Sequence, residues 1–215
     1  MNVRTDARLP LWLKLAWTGF LLVWAPLYAK QYGAQNFLFF CDLGNLLIAA
    51  ALWTESRLIF SWQAVSLLVF QILYMADLST AFAVGRHITG GTEYMFDPHI
   101  PAIIRLLGLY HGCVPPLLIW AVLRLGYDVR AWVYQTLTAC IVLPINYFWR
   151  PQCNVNWARG LGRPQHLLPG WLYLAGYLIA VSVFVYWPTH ITLKWLDRRS
   201  GGDDGWFRAF RQEAT

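Results

Sequence analysis

A thiol and a carboxylate stand side by side, as Cys41 and Asp42, in the apolar stretch "NFLFFCDLGN". An imidazole, His111, stands inside a second apolar stretch, "LLGLYHGCVPPLLIW". Ionisable groups are costly inside such runs and are retained there for chemistry or for a specific polar contact. A thiol beside an imidazole loses its proton readily and becomes a nucleophile, while a third polar group fixes the tautomer of the ring. Cys41 as nucleophile, His111 as general base and Asp42 as orienting acid make up such a set. Successive helical residues differ in direction by about 100°, so one of Cys41 and Asp42 faces the ring and the other braces a neighbouring helix. Plainer roles are open to all three. Cys41 fits a small buried hydrophobe, Asp42 an ion pair with Arg105, and His111 a hydrogen-bonded structural residue beside a kink at Pro115 and Pro116.

The elements that must position these groups are membrane helices. Of 215 residues, 58% are hydrophobic and 13% charged, with 13 Trp, 11 Tyr and 12 Phe. A water-soluble domain carries about 25% charged residues. Apolar windows of about 20 residues give six candidate spans, at 11–30, 36–53, 58–78, 100–124, 131–149 and 168–192. The third carries Gln63 and Gln71. Trp12, Tyr28, Trp53, Trp132, Trp149, Trp171 and Trp187 cluster near span ends, where interfacial anchors belong. The first apolar run is too long for a signal-peptide core and lacks a small-residue cleavage site, so the first span is expected to stay in the mature chain. The fold class expected is therefore all-α, a polytopic six-transmembrane-helix bundle over residues 1–196. A cytoplasmic tail, 197–215, follows, in which Trp206, Phe207 and Phe210 form an amphipathic piece.

The net charge of +6 comes from Lys and Arg at the ends of apolar runs rather than from a basic motif, which argues against a nucleic-acid partner. Lys14, Arg57, Arg124, Arg130, Lys194 and the terminal arginines fall on one side, against Lys30, Arg86, Arg150, Arg159 and Arg163 on the other. This bias places both termini in the cytoplasm, in a membrane read as the bacterial inner (plasma) membrane. Cys41, Cys113, Cys140 and Cys153 form no CxxC pair, and no disulfide framework is expected. The second and fourth spans both enter from the outer side, so Cys41 and His111 fall in the same half of the bundle.

Two long outer loops add other candidates. His87, Glu93, Asp97, His99 and His166, with His111, hold enough donors for a divalent metal acting on a lipid at the membrane face, although no HxH or HExxH spacing is present. Asn154, Asn156 and Trp157 lie in the second loop. Asp42, Asp77, Arg105 and His111 also suit a proton or small-solute path.

"YGAQNFLFFCDL" followed by "YHGCVPPLLIW" resembles the six-span intramembrane hydrolases of the androgen-induced and androgen-dependent TFPI-regulating type. The second span of that family carries an F-L-T-F-x-D-L segment, and its fourth carries His followed by small residues and proline. "NYFWRPQCNVNW" looks like its aromatic stretch between spans five and six. The resemblance covers most of the chain in layout, with few identities. It implies hydrolysis of fatty-acid esters by a nucleophile on the second span and a histidine on the fourth. Position by position, His111 matches the family histidine and Asp42 its aspartate, while the family threonine falls on Phe39 or Phe40. Cys41 is the nucleophile available.

The reading reached is a hydrolase or acyltransferase acting on a membrane lipid ester without a cofactor. Cys41, His111 and Asp42 are its catalytic residues. Asn45, Asn154 and Asn156 are candidate oxyanion donors, and Arg105 and Trp157 are further substrate contacts.

Overall fold

The structure, a computed structural model, describes residues 9–201, and the aromatic tail residues Trp206, Phe207 and Phe210 lie outside them. The described residues form helices and turns with no strand. In chain order the helices are α1 (Leu11–Tyr32), α2 (Phe40–Thr54), α3 (Arg57–Val84), α4 (Ala102–Leu107), α5 (Tyr110–Leu125), α6 (Ala131–Phe148), α7 (Gly170–Val181) and α8 (Trp187–Gly201). A π-helical turn, Ser182–Tyr186, joins α7 to α8. Pro188 follows it, and its missing N–H leaves the carbonyl of Phe184 without an α-helical partner.

By length and composition, four segments are able to cross a membrane: α1, α3, the run Ala102–Leu125 made of α4 and α5, and the run Gly170–Ser200 made of α7 and α8. The expected count of six is thus reduced at two places. The second window, 36–53, begins with a 3-10 turn at Ala34–Leu38 and an extended Phe39, so α2 has only 15 residues. At 1.5 Å per residue it is about 22 Å long, against about 30 Å of hydrocarbon. The fifth window becomes α6, whose 18 residues include Gln135, Pro144 and Asn146. The third and last helices overrun their expected limits, ending at Val84 and Gly201.

Alongside an apolar core, amide side chains are buried and many large apolar ones lie outside, unlike a protein in water. Gln63, Gln71, Gln135, Asn45 and Asn146 are buried, while Leu22, Phe148, Ile179 and Phe184 lie on the outer surface. An apolar solvent favours this pattern, because a polar side chain facing lipid would lack hydrogen-bond partners. Helix α3 is the central strut and packs against α2, α5 and α6. Its approach to α2 depends on Gly44, where a Cβ would stand 2.6 Å from Leu67 Cδ1 and 3.0 Å from Gln63 Oε1.

The ends of α1, α3 and α6, the starts of α2, α5 and α7, and the segments between them share one end of the bundle. Two of those segments are pinned from below. The carboxylate of Asp77 accepts from the backbone N–H groups of Ile88 and Thr89, both at 2.6 Å, and of Thr92 at 3.1 Å. It also accepts from the Thr92 hydroxyl and meets His87 Nδ1 at 3.3 Å. The 149–169 segment is pinned to α2 by Asn156, described below.

Candidate functional site

A cavity of about 480 Å³ occupies this end of the bundle. Tyr28 and Tyr32 of α1, Cys41 and Asp42 of α2, Phe70, Gln71 and Tyr74 of α3, and Tyr110 and His111 of α5 line it. Tyr94, Asn156 and Trp157 cover it from the inter-helix segments, and Tyr177, Val181 and Tyr186 close it on the α7 side. Its size is within the roughly 300–1,000 Å³ of small-molecule sites, and its walls are mostly apolar and aromatic with a few convergent polar groups, the usual make-up of a ligand pocket.

His111 lies just past a tightened joint in the fourth expected span, where Gly108 and Leu109 keep helical angles but the backbone N–H groups of Leu109, His111 and Gly112 bond three residues back. Helix α5 begins at Tyr110, so His111 is its second residue. Gly108 is needed there, since a Cβ would run into the hydroxyl of Tyr94 and lie 3.1 Å from the carbonyl of Arg105. One helical turn later, Pro115 removes the N–H that would otherwise pair with the His111 carbonyl. The imidazole is buried and stacked between two phenol rings, Tyr74 with centroids 3.9 Å apart and Tyr110 at 4.1 Å, both inclined at 29°. Its Nδ1 is hydrogen-bonded to Gln71 Oε1. An amide oxygen only accepts, so Nδ1 carries the proton and Nε2 retains the free lone pair. That is the tautomer a general base requires.

Asp42 is buried in the first turn of α2. Its Oδ1 accepts from Tyr110 Oη at 2.8 Å, and its Oδ2 accepts from Asn36 Nδ2. Cys41 is half-buried and lines the cavity next to Asp42. Tyr110 thus bonds to the carboxylate and also stacks on the imidazole. Among the described residues no hydrogen bond joins Cys41 to His111 or Asp42 to His111. The hydrogen bond to the imidazole expected from Asp42 comes from Gln71, while Asp42 is engaged by Tyr110 and Asn36. The Asp42–Arg105 pair does not form either, since Arg105 Nη1 donates to the carbonyl of Met95 at 3.2 Å.

The asparagines separate by role. Asn156 Oδ1 accepts from the N–H of Phe40 at 3.0 Å and its Nδ2 donates to the Leu38 carbonyl at 2.7 Å. It therefore caps the first turn of α2 from across the chain, satisfying a backbone group that a helix start leaves orphaned. Asn154 closes its own loop, accepting from the N–H of Arg159 and donating to the Gly160 carbonyl, both at 2.9 Å. Asn45 is buried behind the cavity wall and is not part of the lining. Neither is Arg105, while Trp157 is.

The candidate metal ligands are dispersed. His87 is spent on Asp77 and Thr92, Asp97 accepts from the N–H of His99, and His166 lies in a separate cleft with Tyr147 and Arg159. No group of three or more His, Cys, Asp and Glu side chains among the described residues is arranged to hold an ion. The solute-path reading meets a similar obstacle at Asp77, whose lone pairs are taken by the segment it anchors. Gln71, Tyr74 and Tyr110 were not singled out by the sequence, although a glutamine inside an apolar span is the same kind of signal as His111.

Comparison of the chain with protein-family models, with curated proteins and with solved structures finds no match.

Proposed function

We propose that the protein is an integral membrane lipid-ester hydrolase or acyltransferase, with Cys41 as nucleophile and His111 as general base. Its long apolar segments cross a bacterial plasma membrane with both termini in the cytoplasm. The cavity opens toward the outer leaflet, so an acyl chain enters between helices without crossing water. One observation carries the reading: a thiol, an imidazole and a carboxylate on two helices line one largely apolar cavity of about 480 Å³.

The chemistry balances within that set. Cys41 Sγ attacks the ester carbonyl carbon, the carbonyl π pair moves onto oxygen, and the thiol proton passes to His111 Nε2. Collapse of the tetrahedral adduct breaks the bond to the alcohol, which leaves with the proton from His111, and the acyl group remains on sulfur. Water or the hydroxyl of a second lipid then attacks the thioester, with His111 taking and returning the proton in the same way. Nucleophile–base contacts are often long in ligand-free sites and tighten when substrate is bound. The likeness to the androgen-induced type of intramembrane hydrolase, resting on Asp42 and His111, points the same way.

The test is covalent labelling of the purified protein with an acyl-mimicking electrophile, followed by peptide mapping, in wild type and His111→Ala. Modification of Cys41 that is lost in His111→Ala is the expected result. Labelling confined to other residues, or Cys41 labelling indifferent to His111, would overturn the assignment.

A further inference from the structure

Resting on that reading, we infer that Gln71 is the oxyanion donor: its Nε2 binds the carbonyl oxygen of the substrate ester while its Oε1 holds the base. Three observations converge on it. Gln71 lines the cavity and is 2% exposed. Its Oε1 is occupied by His111 Nδ1, which fixes the amide plane and leaves Nε2 as a donor of set direction. That Nε2 has no hydrogen-bond partner among the described residues.

A buried amide with one end unpaired is unfavourable, and Leu or Met would fill the same space on a membrane helix at no such cost. The residue repays that cost when an acceptor enters the cavity next to the imidazole. An ester carbonyl is such an acceptor, and it becomes a stronger one as negative charge develops on oxygen during attack.

Several other donors near the cavity are committed elsewhere, and Asn45, whose buried amide is unpaired among the described residues, does not line it. The amides of Asn156 and Asn154 are engaged at both ends by backbone. Tyr110 Oη donates to Asp42, and Tyr28 Oη donates to the carbonyl of Ile104 at 3.4 Å. Tyr32 Oη is also unpaired among the described residues, but Tyr32 is the last residue of α1 and only half-buried, whereas Gln71 is bonded directly to the imidazole.

The role separates from simple positioning by comparing two reactions of the same thiol. Acylation of Cys41 by p-nitrophenyl octanoate passes through an oxyanion; alkylation by iodoacetamide does not. In Gln71→Glu, which keeps length and the acceptor for His111 Nδ1–H but has no donor, acylation is expected to fall about 100-fold while alkylation changes by less than about threefold. Gln71→Met is expected to lower the ratio of the two rates to a similar extent, and Gln71→Glu decides alone if Gln71→Met does not fold. Equal falls in both rates, or no fall in either, would overturn the inference and leave the nucleophile assignment standing. A wild-type Cys41 that is alkylated but never acylated would instead overturn the hydrolase reading, and this inference with it.

Discussion

Tyr110 Oη donates to Asp42 Oδ1 at 2.8 Å, tying the first turn of α5 to the first turn of α2 inside the cavity wall. The bond satisfies a carboxylate that is 3% exposed, and it places the phenol ring against His111 at 4.1 Å between centroids. Removing the hydroxyl in Tyr110→Phe leaves one oxygen of a buried carboxylate unsatisfied, at a cost of about 1–3 kcal/mol. The expected outcome is a lower thermal midpoint in detergent for Tyr110→Phe. The double variant with Asp42→Leu is expected to be less destabilised than the two single changes added together, as a double-mutant cycle would show.

Much of this arrangement was legible in the sequence, because a charge or thiol inside an apolar run stands out and helix order alone puts Cys41 and His111 in one half of a bundle. What was not legible is which face of each helix points inward. Gln71 registered only as a polar blemish in the third span, since its importance comes from the register between α3 and α5. Asn156 is a candidate oxyanion donor by sequence, yet its hydrogen bonds go to Leu38 and Phe40, more than a hundred residues away. Arg105 is a charge inside an apolar run like Asp42, but its guanidinium donates to the Met95 carbonyl, a contact set by the segment before α4 that no spacing reveals. The shortness of α2 was hidden because 36–39 are as apolar as a helix but are wound as a turn and an extended residue.

The α2–α3 contact is expected to be intolerant of even one added carbon. In Gly44→Ala the new Cβ stands 2.6 Å from Leu67 Cδ1, and overpacking of this kind costs about 1–3 kcal/mol. Leu67→Ala in the same chain removes the atom that is struck. Thermal unfolding is expected to show Gly44→Ala as destabilised, with the Gly44→Ala/Leu67→Ala pair less so than the sum of its parts.

Asn156 is expected to act on α2 and not on chemistry directly. It holds φ +52°, in the left-handed region that Asn tolerates better than other non-glycine residues. Asn156→Ala removes the acceptor for Phe40 N–H, and a lost helix cap costs about 1 kcal/mol. Asn156→Asp keeps that acceptor and loses only the donor to Leu38. Limited proteolysis is expected to cut the 149–169 segment fastest in Asn156→Ala, with Asn156→Asp intermediate. Equal cleavage in all three proteins would mean that the cap does not hold this segment.

The opposite end of the bundle supplies a pH dependence that is independent of the cavity. Asp128, in the turn between α5 and α6, accepts from Arg130 Nε at 3.0 Å and Nη2 at 2.9 Å, and Arg57 Nη2 approaches at 3.7 Å. The hydrogen bond from Arg130, and after it the opposing cost of burial, leave the carboxyl below its ordinary value, which is about 3.9. A carboxyl whose pKa is lower in the folded than in the unfolded chain stabilises the fold above its unfolded value, and that stabilisation is lost as pH falls through the folded value. The thermal midpoint of the wild type is therefore expected to drop as pH falls below about 4. In Asp128→Asn that part of the drop disappears, because no proton is taken up at this position, and the variant is less stable than the wild type at neutral pH. The comparison needs only unfolding curves of the two proteins across the acid range. An identical acid profile in both would remove Asp128 as the source of the dependence.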